Sequence, residues 1–333
     1  MKKQDFIIRV LKQSYRKLTQ KRFLPPLCDC DRQSSNDKIY NLLASKKPCM
    51  IARFGTTELT CLTNYVAVHS NHSYWKKYIN YITDYCGTPW WNEEHFLTMS
   101  LWSGIFPPCQ DTAEKFSEIY MEDIPLIDLL ACHQYTEKYM PLRNNIERVQ
   151  LEMLYPFFVE RPWTRYLKGK KVLVIHPFEA SIRYQYEKRE KLFEDPNILP
   201  NFELIILKAV QTVANTKSQF KDWFEALDWM KEQINNIEFD IAIIGCGAYG
   251  LPLAAHVKRL GKQAIHMAGG TQLLFGILGN RWVKEYPTKG IWHYRDKEIN
   301  LNYTSLFNEN WIYPLDCDTI KDAYSVENAC YWK

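Results

Sequence analysis

Two short segments bring together residue types that can do chemistry. In ARFGTTEL, residues 52–59, an arginine closes an apolar run, a glycine follows, and a glutamate falls in what reads as the first turn of a helix. Arg53 can neutralise a departing anion, and Glu58 can accept a proton or hold a divalent ion. A structural ion pair or a helix-start charge is the plainer use of the same two residues. Gly55 permits the tight turn between them, and Thr56 or Thr57 is placed to cap the helix that continues through Leu59, Leu62 and Val66.

The second segment is GCGAYG, residues 245–250, in which Gly245, Gly247 and Gly250 fit G-x-G-x-x-G between an apolar strand and a helix. Such a turn lets the backbone amides of Gly247, Ala248, Tyr249 and Gly250 approach a phosphate at the positive end of a helix. The same glycines would also serve a tight turn with no ligand. A dinucleotide site would need an acidic residue at the end of the next strand to hold a ribose hydroxyl, and that place holds His266. Gly269, Gly270 and Thr271 follow the next strand as a second glycine-led helix start. His176 closes an earlier strand, with Ser181, Gln185 and Arg189 on the helix expected after it, through Ile182, Tyr186 and Phe193. Ligands of open α/β sheets sit beyond the carboxyl ends of the strands, so these turns are expected to wall one nucleotide-sized crevice.

The elements that must position these residues follow from hydrophobic patterning. KKVLVIH, FELIIL, DIAIIG and KQAIHM read as buried strands spaced by helical segments, which predicts a mainly parallel, doubly wound Rossmann-like α/β layer. Ser218 is expected to cap the helix carrying Trp223, Leu227 and Met230, and Gly261 to end the one after GCGAYG. PCMIARFG repeats the strand, turn, helix grammar, so residues 48–70 are expected to join the same sheet. The first half otherwise reads as helix-rich, with helices near 4–21, 36–45, 57–69, 74–85 and 111–121. The expected organisation is a basic amphipathic helix over 1–25, then a single domain over 26–333 with a sub-lobe boundary near 162–171. The aromatic tail from Trp292 is expected to wrap the core.

Composition bounds the function classes. The chain has 333 residues, of which 46% are hydrophobic and 24% charged, a globular balance with room for a large core. No run reaches the roughly 18–20 apolar residues of a membrane span, and the first residues lack the apolar centre of a signal peptide, so a cytoplasmic protein with reduced cysteines is expected. A net charge of +4 gives no reason to expect a nucleic-acid partner. Residues 1–22, however, hold eight Lys and Arg against Asp5 alone, with Phe6, Ile7, Val10, Leu11 and Leu18 at helical spacing. That segment suits peripheral contact with an anionic inner membrane face, or docking on the rest of the chain.

RFGTTEL together with IIGCGAYGLPLAAHVKRLGKQAIH resembles the GT-D-type glycosyltransferases, bacterial enzymes built on one Rossmann-like domain, and the terminal VENACYW is similar in flavour to that group. The resemblance spans residues 48–280 in the order of elements, with two specific motifs. It implies transfer of a sugar from a nucleotide-sugar donor to a polysaccharide, glycoprotein or lipid-linked glycan acceptor. The family's Arg-x-Gly-x-x-Glu pattern falls on Arg53, Gly55 and Glu58, while its Asp-x-Glu metal motif meets Thr56 where Asp would stand. The resemblance therefore implies Glu58 as the residue facing the donor or its Mn2+ or Mg2+ ion. Trp75, Trp90, Trp91 and Trp102 offer a sugar-stacking platform. The competing expectations are an NAD(P)- or S-adenosylmethionine-dependent Rossmann enzyme, and a non-catalytic nucleotide-sugar-binding protein.

Overall fold

The computed structural model describes residues 3–20 and 24–333; Lys2, Lys21 and Arg22 of the basic segment lie outside them. The chain runs α1 (Lys3–Thr19), α2 (Arg32–Ala44), β1 (Cys49–Arg53), α3 (Thr56–Val68), α4 (Tyr74–Ile82), α5 (Glu93–Ser103) and α6 (Gln110–Asp123). Then come β2 (Leu129–Cys132), β3 (Glu147–Gln150), β4 (Lys171–His176), α7 (Glu179–Tyr186), β5 (Glu203–Lys208) and α8 (Trp223–Asn235). β6 (Ile241–Ile244), α9 (Gly250–Arg259), β7 (Gln263–His266) and the short α10 (Gly270–Leu274) complete the alternation, and β8 (Ile291–Tyr294) and β9 (Lys297–Asn300) form a separate hairpin.

Among the described residues seven strands form one sheet in the order β3-β2-β1-β7-β6-β4-β5, with every pair parallel. This is a Rossmann-like α/β arrangement. β1 joins the late strands directly, Ile51 standing opposite Ile265, so residues 48–70 belong to the sheet as expected. The chain steps outward from β1 through β2 and β3, crosses to β4, steps out to β5, and returns through β6 and β7 to lie against β1. The carboxyl ends of β1, β7, β6 and β4 therefore stand side by side.

Both faces of the strands are apolar because both are covered. Cys49, Ile51, Val172, Val174, Ile243 and Ile265 pack into one core with α2, α7, α10 and the tail. Met50, Ala52, Leu173, Ile175, Ala242 and Ala264 pack into the other with α3, α6, α8 and α9. The tail does wrap the first core, with Tyr303, Trp311, Val326 and Trp332 buried in it. Trp163 and Leu167, within the expected boundary segment, are fully buried in that core as well.

Several local expectations change. Asp222, not Ser218, caps α8, its carboxylate accepting from the Glu225 N–H at 2.8 Å, while Ser218 Oγ accepts from Phe220 N. The helix expected from 36 begins at Arg32 behind an Asp31 cap, and the one expected to 85 stops at Ile82. The helix expected after β4 through Phe193 ends at Tyr186, so Arg189 lies beyond it in a separate 3-10 turn. β2, β3 and α5 were not expected at all. No helix among the described residues is long and apolar enough to cross a membrane.

Candidate functional site

A cleft opens over the carboxyl ends of β1, β7, β6 and β4. It holds about 1120 Å³ of space including its open mouth, of which about 160 Å³ admits the centre of a water molecule. Both sequence segments reach it: Arg53, Gly55, Thr56, Thr57 and Glu58 from the end of β1, and Gly245, Gly247 and Tyr249 from the end of β6.

At the β1 end, Arg53 is half-buried and its side chain makes no hydrogen bond or ion pair among the described residues. Glu58 is 6% exposed. Its carboxylate folds back onto Gly55, so closely that a Cβ built there would lie 1.6 Å from Oε2. Gly55 is needed here for the space it leaves, since its φ of −74° suits any residue. Burial pushes the Glu58 carboxyl above its ordinary range, opposed by its own backbone N–H, the Arg53 charge and the Ser103 hydroxyl. Gln134 holds the rim of this segment through Nε2 donating to Thr56 Oγ1 at 2.7 Å.

The glycines of the second segment divide into two kinds. A Cβ on Gly250 would lie 2.1 Å from His266 Cε1, one on Gly270 2.0 Å from Tyr155, and one on Gly245 2.6 Å from Ala268 O and Thr271 Oγ1. These three serve close packing. Gly247 differs: it is exposed, has φ +56°, and an added Cβ would meet nothing nearer than Ser103 O at 3.8 Å. The cradle expected from four consecutive amides thus narrows to the backbone at Gly247. The Tyr249 N–H is spent on Cys246 O, and Ala248 and Gly250 lie behind the cleft wall, the Ala248 carbonyl accepting from Tyr120 Oη at 2.7 Å.

Tyr249 contributes in another way. Its ring stacks on Trp223 at 4.9 Å and 8°, and its hydroxyl is buried with no hydrogen-bond partner within bonding geometry, while Thr212 Oγ1 donates to Gly104 O. His176 and His266 both line the cleft as buried, neutral rings, burial pushing each down to about 3. His176 Nδ1 accepts from Phe178 N at 3.0 Å, which leaves the proton on Nε2. His266 Nδ1 lies 3.4 Å from Ile244 O and so carries its proton there. Neither supplies positive charge to a phosphate.

Ser181, Gly270 and Thr271 do not reach the cleft, whereas Gly269 does. Ser181 is fully buried; its N and Oγ both donate to Asp318 Oδ2 at 2.7 Å, and its Oγ accepts from Leu315 N, which ties the tail to α7. Thr271 Oγ1 is buried against Gly245. Gln185 is committed to Gly276 O and Asn310 O, and Arg189 to Glu190. Of the four tryptophans only Trp102 lines the cleft; Trp90 stacks on Tyr78, Trp91 donates to Glu114, and Trp75 projects to solvent.

The opposite wall comes from residues not expected at the site, two of them in the terminal VENACYW. Arg281, Glu327 and Tyr331 close it, Arg281 paired with Glu327 and donating from Nη1 to Tyr331 Oη at 3.3 Å. Glu327, Asn328 and Ala329 have φ of 45°, 57° and 57°, a left-handed turn built without glycine. The segment is fixed by Arg281 N donating to Cys330 O and Asn280 N to Trp332 O. The terminal VENACYW, which contains Glu327 and Tyr331, and an arginine following Gly-Asn at 279–281 are the marks of this wall in the sequence, and both are weak.

Among the described residues no three His, Cys, Asp or Glu side chains come together as metal ligands. Glu58 is turned onto its own glycine, Thr56 supplies no carboxylate beside it, and the cleft's other carboxylate, Glu327, is paired with Arg281, so the donor set does not fit a protein-held divalent ion. The positive charge that faces the cleft comes instead from Arg53 and Arg281. No protein-family model matches the chain, and no curated protein or solved structure matches it either.

Proposed function

We propose that the chain is a glycosyltransferase of the GT-D type, with a doubly wound Rossmann-like domain, that transfers a sugar from a nucleotide-sugar donor to a cell-surface or lipid-linked glycan acceptor at the cytoplasmic side of the membrane. The observation that carries this reading is the convergence of an unpaired Arg53 and the carboxylate of Glu58 with the open backbone of Gly247 in one cleft at the sheet's carboxyl edge. A diphosphate needs cationic and N–H donors; a hydroxyl acceptor needs a base within reach.

In this reading the anomeric carbon's bond to the diphosphate breaks and its bond to the acceptor oxygen forms. The acceptor's proton passes to Glu58, whose raised affinity for protons suits that task. The leaving nucleoside diphosphate takes the bonding electron pair, and its charge is met by Arg53, Arg281 and the Gly247 N–H. Tyr249 Oη offers a donor to sugar or phosphate oxygen.

The test is calorimetric titration with nucleoside diphosphates and their sugars, with and without manganese, and with NAD(P) and S-adenosylmethionine as competitors for the assignment. Binding of a nucleoside diphosphate and loss of turnover in Glu58→Gln with binding retained are expected. A flat trace for every nucleotide defeats the reading, tight binding of NAD(P) or S-adenosylmethionine transfers the cleft to another reaction, and binding without turnover in either protein makes it a binding site only.

A further inference from the structure

The N-terminal helix is mounted the unusual way round. At 100° per residue, Phe6, Ile7, Val10, Leu11 and Leu18 share one arc of α1, and all five are exposed, Leu18 to 85%. The opposite arc carries Lys12 and Arg16, and these face the protein. Lys12 Nζ lies 2.7 Å from Asp84 Oδ1 and 3.9 Å from the Tyr81 ring centroid, and Arg16 Nε lies 2.6 Å from Asp84 Oδ2. Asp84 is itself buried, and its carbonyl accepts from Tyr139 Oη. A surface helix ordinarily turns its apolar stripe to the core and its charges to water. Here a buried carboxylate holds the basic side, and the apolar stripe is left facing out.

The stripe does not stand alone. α1 packs along α4, from which Tyr74, Trp75 and Ile79 project, each more than half exposed. Charge decides what such a face meets. Residues 1–22 carry a net +7 with Asp5 as their one acid, and Lys17 and Lys76 stand exposed beside the apolar side chains. A second copy would bring the same positive charge against it, whereas an anionic bilayer accepts apolar side chains, interfacial Trp and Tyr, and lysines together. We infer that the outward face of α1 and α4 seats on a lipid surface rich in anionic headgroups, with the five apolar side chains of α1 and Trp75 entering the headgroup boundary.

The seat lies at the cleft's end of the sheet. Tyr139 and Gln134 both follow the carboxyl end of β2; the first holds Asp84 under α1, and the second holds Thr56 at the cleft rim. A chain bound through α1 and α4 therefore presents the carboxyl edge of its sheet near the lipid. The inference rests on the helix and its mounting, and it stands whichever ligand the cleft takes.

The test is co-sedimentation of the full chain with vesicles of phosphatidylcholine alone and with vesicles in which about a third of the lipid is phosphatidylserine. Binding to the anionic vesicles at least about tenfold above the neutral ones is expected, weakening as salt rises from about 0.05 to 0.5 M. The double variant Ile7→Glu, Leu11→Glu should bind about 100-fold more weakly while keeping its circular dichroism and unfolding midpoint, because both side chains are exposed. Wild-type protein that stays in the supernatant with both vesicles overturns the inference, as does a double variant that sediments like wild type. A dimer in sedimentation equilibrium that the double variant dissolves, without vesicle binding, assigns the face to a second copy and overturns it equally.

Discussion

Replacing Gly55 by alanine separates the seat of Glu58 from the stability of the fold. The new Cβ would lie 1.6 Å from Glu58 Oε2 and 2.3 Å from its carboxyl carbon, and it would meet nothing else so closely. Contact needs about 3.4 Å, so the carboxylate must swing away by roughly 2 Å, and the cleft that Glu58 lines offers the space for another rotamer. The backbone at 55 accepts alanine without strain, at φ −74° and ψ 150°. Alanine there also narrows the unfolded ensemble, worth about 0.4–1 kcal/mol in favour of the fold, and the displaced carboxylate moves toward water. The unfolding midpoint should therefore stay within about 3 °C of wild type or rise slightly. Turnover should fall about 100-fold or more, since a displacement of about 1 Å already costs that much and the group moved is the proposed base. The acid limb of the pH–rate profile should shift to lower pH, because the burial that raised the Glu58 carboxyl is relieved. Differential scanning calorimetry and steady-state release of nucleoside diphosphate read these quantities. A variant with wild-type turnover, or one that melts more than about 10 °C lower, refutes the account of why residue 55 is glycine. Gly250→Ala is the contrast: its Cβ would lie 2.1 Å from the buried His266 ring, a stiff group rather than the end of a flexible chain, and a loss of about 1–3 kcal/mol is expected with no improvement in any assay.

Acid should destabilise the fold through the two cleft histidines. Their folded values near 3 lie below the ordinary 6.5, so the unfolded chain takes up protons that the folded chain refuses. Stability is full above about pH 6.5 and is lost as pH falls toward 3, each ring contributing a loss of about 2 kcal/mol by about pH 5. Urea unfolding across that range should show a slope that His176→Gln reduces by half of the two-ring share, and an unchanged slope removes His176 from the account. Glu327→Gln should free Arg281 from its ion pair and tighten nucleoside diphosphate binding by up to about fivefold, since the Glu327 side chain is 44% exposed and the pair is partly screened. Weaker or equal binding by calorimetry would mean that Arg281 does not face the diphosphate.

The legible strands are those whose neighbours bury both faces. β4, β6 and β7 are apolar runs ending in glycine turns or histidine, and β1 is the same pattern placed early. β3 reads Glu-Arg-Val-Gln and lies at the edge of the sheet with Glu147 exposed, so it has no apolar run to find; its pairing with β2 and the bridge from Asp29 to Val149 define it. α5 carried readable signals, an Asn92 cap and a Gly104 stop at φ 70°, but its buried Phe96, Met99, Ser100 and Ser103 are half polar and blur the apolar period. The same blurring let Trp102 be grouped with Trp90 and Trp91 as a platform, although helix geometry sends only Trp102 to the cleft.

The cleft itself was half legible for a related reason. Arg53, Glu58 and Gly247 sit at strand ends, where the step from strand to helix is written into a few adjacent residues. Arg281, Glu327 and Tyr331 arrive by a path no local pattern describes, through a left-handed turn at 327–329 in which no glycine relieves a cost of about 1–2 kcal/mol per residue. That turn persists because its flanks are pinned, Cys330 O and Trp332 O accepting from Arg281 N and Asn280 N while Trp332 is buried in the core. The strain and the ion pair thus bear on one another: the pinned turn delivers Glu327 to Arg281, and an anion that draws Arg281 away removes one of the contacts holding the turn. The wall least legible in the sequence is thus held by contacts between segments distant in the chain, whereas the strand-end residues are placed by their immediate neighbours.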